Sequence, residues 1–133
     1  MKVFNEFDNG TLYLPKADAI SAKKVDIGAV EWSKHAVSEG VELKHFLTAK
    51  DTGGAFSYHL VRVAPGKKIL MHIHETQLET HEVVAGDGTC EIDGELLPYK
   101  VGMVAIIPAG TKHEVTAGEN GIYMFAKFMP ALV

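Results

Sequence analysis

Residues 66–86, GKKILMHIHETQLETHEVVAG, decide how this chain is read. His72 and His74 stand two residues apart, and successive side chains on a strand alternate faces, so both imidazoles project from one side of a sheet. Glu79 follows a short polar break, ETQL, that suits a turn or the start of a second strand. A third imidazole, His113, lies far downstream in PAGTKHEV and has to be delivered by the fold. Three imidazoles and one carboxylate make a suitable donor set for a divalent first-row transition metal.

Working outward, the flanking chain reads as short strands punctuated by turn residues. Before the histidines come VELKHFLT (41–48), the Thr52-Gly53-Gly54 turn and AFSYHLVRV (55–63), closed by Ala64-Pro65-Gly66. After them come THEVVAG (80–86), a strand expected to end on its glycine, and TCEIDGELLPY (89–99), a hairpin turning at Asp93-Gly94. MVAIIP (103–108), KHEVTA (112–117) and GIYMFAKFM (121–129) complete the series. In the last, either Tyr123 and Phe125 or Met124 and Phe128 face inward. Residues 1–30 are less legible: Phe4, Phe7, Leu12, Tyr13 and Leu14 supply a strand or two, and ADAISAKK (17–24) allows a helical turn. No segment promises a helix longer than two turns, so the expected fold is all-β, an antiparallel sandwich or barrel.

Composition bounds the function. The 133 residues suit one domain, with 1–40 as N-terminal strands or extension and 41–129 as the barrel core. With 47% hydrophobic and 23% charged residues the chain has the make-up of an ordinary globular protein, and no apolar run approaches the roughly 20 residues of a membrane span. A net charge of -4 argues against nucleic acid, which calls for a basic stripe, and leaves a small molecule as the expected partner. The first residues, MKVFNEFDNG, lack the uninterrupted apolar region of a secretory signal, and the single Cys90 cannot form an internal disulfide. Both observations lead to the expectation of a cytoplasmic protein.

Two spacings then carry a resemblance. Gly66, His72, His74, Glu79 and Gly86 fill every fixed position of G(X)5HXH(X)4E(X)6G, and Gly102, Pro108, Gly110 and His113 fill G(X)5PXG(X)2H(X)3N up to its last place, where Ala117 stands for asparagine. The chain resembles the cupin superfamily, specifically its small single-domain members. The resemblance implies a jelly-roll β-barrel and one divalent metal (Fe, Mn, Ni, Co, Zn or Cu) held by His72, His74, Glu79 and His113. It does not imply a reaction, since this barrel hosts many.

Around that ligand set, His81 follows Glu79 by two residues and should face the same way, where an imidazole could act as a general acid or base or as a hydrogen-bond partner of a ligand. Of the adjacent Tyr58 and His59 only one can face inward, and His59 is favoured as a second catalytic candidate. Glu82 is expected to be a solvated or interface charge, and His35 and His45 receive no role. The leading functional expectation is a metal-dependent enzyme of dioxygenase type. Non-redox isomerisation or elimination on a sugar acid or keto acid, and non-catalytic ligand binding, are the alternatives. A homodimer is expected, with the apolar N-terminal residues adding a strand to a neighbour's sheet in preference to folding over their own barrel.

Overall fold

A computed structural model describes residues 10–18 and 20–133. Its framework is a pair of unusually long antiparallel strands, β7 (Leu78–Ile92) and β10 (His113–Met129), each of which serves two half-sheets. The shorter strands in chain order are β1 (Thr11–Leu14), β2 (Lys23–Asp26), β3 (Ser33–Lys34), β4 (Val41–Leu47), β5 (Ser57–Val63), β6 (Lys68–His72), β8 (Glu95–Lys100) and β9 (Val104–Ile107). The last part of β10 pairs with β5, and β9 lies on the first part of β7. Towards the other end, β6 pairs with the start of β10 and β8 with the end of β7. The two half-sheets enclose one core cluster that includes Val41, Val63, Ile69, Cys90, Val115 and Met124. This is the jelly-roll barrel that the sequence resemblance implies.

The expected strands 80–86 and 89–99 differ from the structure in one instructive way. Gly86 does not end a strand; β7 runs through it, and the ladder with β10 slips between Ala117 and Ile122. The strand bends there because Gly86 takes φ +73°, in the left-handed region, while its backbone lies against the carbonyl of Gly121. For the same reason 112–117 and 121–129 form one bent strand. The Asp93-Gly94 turn is as expected: both residues have positive φ, 49° and 83°, and Ile92 pairs with Glu95 across a two-residue hairpin.

Side-chain alternation on β5 places Ser57, His59, Val61 and Val63 toward the barrel and leaves Tyr58 on the outer face, against Phe125. On β10, Met124 and Phe128 belong to the barrel cluster, whereas Tyr123 and Phe125 belong to a second cluster outside it. That second cluster is roofed by β1 and β2, from which Leu12, Leu14 and Val25 pack on Phe46 and Leu60. Lys44 is buried at its margin, donating Nζ to the Ile27 carbonyl at 2.8 Å and lying 4.9 Å from the centre of the Trp32 ring. Ala17 and Ile20 form an isolated antiparallel bridge where a helical turn was expected. Among the described residues the one α-helix is α1 (Ala49–Thr52), and no helix is long and apolar enough to cross a membrane.

Phe4 and Phe7 lie outside the described residues. Leu12 and Leu14 pack over their own barrel, the second of the two arrangements expected for the N-terminal residues.

The bend yields a direct test. A methyl group at Gly86 would drive into the Gly121 carbonyl and keep a strained φ. Gly86→Ala should cost about 3 kcal/mol, whereas Gly54→Ala, also at positive φ but with open space around it, should cost about 1 kcal/mol. Denaturant unfolding measures both; equal losses would mean that left-handed strain, and not the close approach, governs position 86.

Candidate metal centre

Four side chains are gathered where β6, β7 and β10 meet. His72 ends β6 and pairs in register with His113, the first residue of β10, bringing their ring centroids to 4.1 Å. His74 lies just beyond the strand end, in a segment fastened to the second motif by a hydrogen bond from Gly110 N–H to the His74 carbonyl at 2.8 Å. Glu79 is the second residue of β7. One ligand atom from each of the four lies within 4.8 Å of the others. Donors about 2.1 Å from a transition metal sit up to about 4.2 Å apart when opposite one another, so small side-chain adjustments bring this set to bonding distance.

The rings are also oriented for the task. His72 Nδ1 lies 2.8 Å from the Leu70 carbonyl and His113 Nδ1 lies 3.0 Å from that of Thr111. A carbonyl only accepts, so both Nδ1 atoms carry protons and both rings present Nε2 to the cluster. His113 Nε2 donates to Glu79 Oε1 at 2.8 Å, and a divalent ion bound by these groups would take that proton's place. The other carboxylate oxygen, Oε2, accepts from His81 Nε2 at 2.8 Å, and His81 Nδ1 meets the Tyr99 hydroxyl at 2.8 Å.

Electrostatics follow from this packing. Burial alone would raise the Glu79 pKa, but the His81 and His113 rings beside it outweigh burial and hold the carboxyl well below its usual range. Burial lowers His72 and His74, whose own neighbours include His113. His113 moves the other way: burial pulls it down, and the hydrogen bond and charge of Glu79 more than reverse this. Tyr99 is held well above its normal value by burial and by the Cys90 thiol, so it keeps its proton and can donate it to His81. The cluster thus offers three imidazoles and a charged carboxylate, a donor set that fits a divalent transition ion.

His72, His74 and Glu79 form one end of a cavity of about 310 Å³; His113, 1% exposed, adjoins them through Glu79 and His72. Val41, Val61, Ile69, Met124 and Phe128 contribute apolar lining, and Lys34, His35 and His45 contribute polar groups from the β3–β4 side. His81 and His59 do not line it. His81 is 1% exposed behind Glu79; His59, also 1% exposed, lies between His45 Nδ1 at 2.8 Å and Ser57 Oγ at 2.9 Å. Burial and His45 push the His59 pKa down to about 4. Glu82 lies half-buried on the other face of β7. His45 shares strand parity with Val41 and Leu43, a signal that could have placed it in the cavity; nothing in the sequence could have done so for His35.

The Tyr99–His81–Glu79 chain predicts a metal phenotype for residues outside the ligand set. Tyr99→Phe removes the hydroxyl that holds His81, and His81→Ala removes the ring that holds Glu79. Each should weaken metal affinity by roughly 10- to 100-fold with secondary structure retained. Competition titration against a chromogenic chelator measures this, and unchanged affinity in both would mean that His113 alone fixes the carboxylate.

Comparison with known proteins agrees with the geometry. A curated relative, the oxalate-binding protein of Thermotoga maritima, is 26% identical over 76 residues, a match spanning 56% of this chain and 63% of the relative. Among solved structures, a predicted oxalate decarboxylase from Thermotoga maritima superposes with a TM-score of 0.71 at 21% identity, covering 77% of this chain and 94% of the other. KdgF from Halomonas sp. gives 0.66 at 23% identity, with 75% and 86% covered. Ectoine synthase from P. lautus gives 0.65 at 24%, with 71% and 67% covered. At these identities the structural matches establish a shared fold. The sequence pattern of the cupin domain matches residues 59–125, a span that contains both halves of the donor set, and the chain belongs to the cupin domain family.

Proposed function

We propose that this protein is a metal-dependent enzyme of dioxygenase type, holding one divalent transition metal through His72, His74, Glu79 and His113. Its substrate would be a small molecule that offers two oxygens to the metal and an apolar body to the cavity. The observation that carries this reading is the union of four convergent donors with a largely apolar chamber of about 310 Å³. A bound divalent ion would supply Lewis acidity and coordination positions for a chelating substrate.

The chain's own residues supply the rest. Phe128 lies edge-on to His74, with centroids 5.0 Å apart, and to His59 at 5.5 Å, so its ring stands between His59 and the metal cluster. Val61, Ile69 and Met124 hold an apolar body without competing hydrogen bonds. His81 enters this reading as a positioning residue, since it reaches the cavity only through Glu79. A sugar acid would call for several polar groups distributed around the chamber, whereas here they gather on one side.

One observation favours a second reading, binding of a small dicarboxylate: the curated relative at 26% identity is named for oxalate. The same experiment separates the two. Elemental analysis should find close to one divalent transition metal per chain, lost in His72→Ala and His113→Ala. Oxygen electrode measurements on metal-loaded protein with catechols, 1,3-diketones and 2-oxo acids should then show substrate-dependent uptake. Tight oxalate binding with no uptake on any substrate would establish the second reading, and protein without metal in either case would overturn both.

A further inference from the structure

The metal cluster leaves two cavity histidines unexplained, and their surroundings fix what they can do. His35 Nδ1 accepts two backbone hydrogen bonds, from Val37 N–H at 3.1 Å and Ser38 N–H at 2.9 Å. A nitrogen that accepts carries no proton, so the ring is neutral and Nε2 carries one. His45 reaches the same state through a chain. The Ser57 hydroxyl oxygen accepts from Leu132 N–H at 3.0 Å and has its own proton to place; its other partner is His59 Nε2 at 2.9 Å. With that proton donated to His59 Nε2, His59 Nδ1 carries the ring proton and gives it to His45 Nδ1 at 2.8 Å, leaving Nε2 of His45 as an N–H donor. His45 is exposed although His59 beside it is buried, and both His35 and His45 line the cavity that holds the metal cluster.

We propose that His35 and His45 form a second recognition site, a pair of N–H donors on the β3–β4 side of the cavity that takes an acceptor oxygen at the end of the ligand remote from the metal. This deepens the proposed function and rests on it: the ligand becomes a molecule with a chelating head, an apolar middle and an acceptor tail, with a carboxylate the best fit because Lys34 lines the same side. The apolar stretch between the two poles is supplied by Val61, Met124 and Phe128. Burial lowers His45, and burial with His45 pushes His59 down to about 4, so the relay is neutral near pH 7, in keeping with the assigned protons.

Two acids of equal chain length test this. 2-Oxoglutarate and 2-oxopentanoate share the chelating 2-oxo-carboxylate head and differ only in a tail carboxylate or methyl group. Calorimetry on Zn(II)-loaded protein should show tighter binding of 2-oxoglutarate. His35→Asn and His45→Asn each keep an acceptor where Nδ1 stood, so the backbone caps and the His59 bond persist while the Nε2–H is lost. Each should weaken 2-oxoglutarate about 10-fold, the scale of a hydrogen bond to a charged group, and change 2-oxopentanoate by less than about 2-fold. Equal affinity for the two acids, binding of neither, or equal losses on both would overturn the second site. Zinc content, read separately, distinguishes this from failure of the metal reading. If no zinc is held, 2-oxoglutarate should still shift the nitrogen-15 resonances of His35 and His45, and their silence would overturn the proposal on its own.

Discussion

A carboxylate that is 5% exposed cannot stay charged without partners, and the arrangement around Glu79 is the answer to that constraint. Its two oxygens are covered by His113 on one side and His81 on the other, both at 2.8 Å. Each of those rings needs a partner for its second nitrogen. His113 finds the Thr111 carbonyl, which ties the carboxylate to the turn before β10; His81 finds Tyr99, which ties it to β8 across the barrel. The demand therefore propagates through three strands and a turn. No buried side-chain polar atom among the described residues is left without a partner, so this network is complete as it stands.

The long strands are what allow so many elements to meet at one carboxylate. Because β7 and β10 bend instead of ending, Glu79 and His81 lie on the same strand as the β7–β8 hairpin that approaches Tyr99. Likewise, His113 starts the strand whose far end carries Met124 and Phe128 into the cavity. Two shorter strands joined by a loop would leave the relative placement of these groups to a flexible connection. A bend at Gly86, closed over Gly121, fixes it through backbone contact.

Much of the site was legible in the sequence because its residues sit at fixed spacings on locally determined backbone: His72 and His74 near a strand end, Glu79 at a strand start, His113 after a Pro-Ala-Gly turn. The Asp93-Gly94 hairpin was legible for the same reason. What escaped depends on distant partners. A glycine that ends a strand and one that bends it look alike along the chain, and only the opposing Gly121 distinguishes them. The burial of Leu12 and Leu14 depends on an outer face of β4, β5 and β10 that is apolar because of Phe46, Leu60 and Tyr123, residues spread over three strands. His35 is in the cavity because of a local turn that caps Val37 and Ser38, a conformation without a sequence signature of its own.

The histidines show how one side chain is given different chemistry by what stands behind it. An imidazole has two nitrogens, and the partner of one decides what the other can offer. Where a backbone carbonyl stands behind, as at His72 and His113, the rear nitrogen keeps the proton and the front nitrogen can present a lone pair, which is what a metal requires. Where backbone N–H groups stand behind, as at His35, the rear nitrogen must accept and the front one keeps the proton, which is what an oxygen of a ligand requires. His81, with a carboxylate in front and a phenol behind, has both nitrogens engaged and holds Glu79 in place. Composition alone cannot separate these roles, because the residue is the same in each; the group within about 3 Å of the rear nitrogen, backbone or side chain, does.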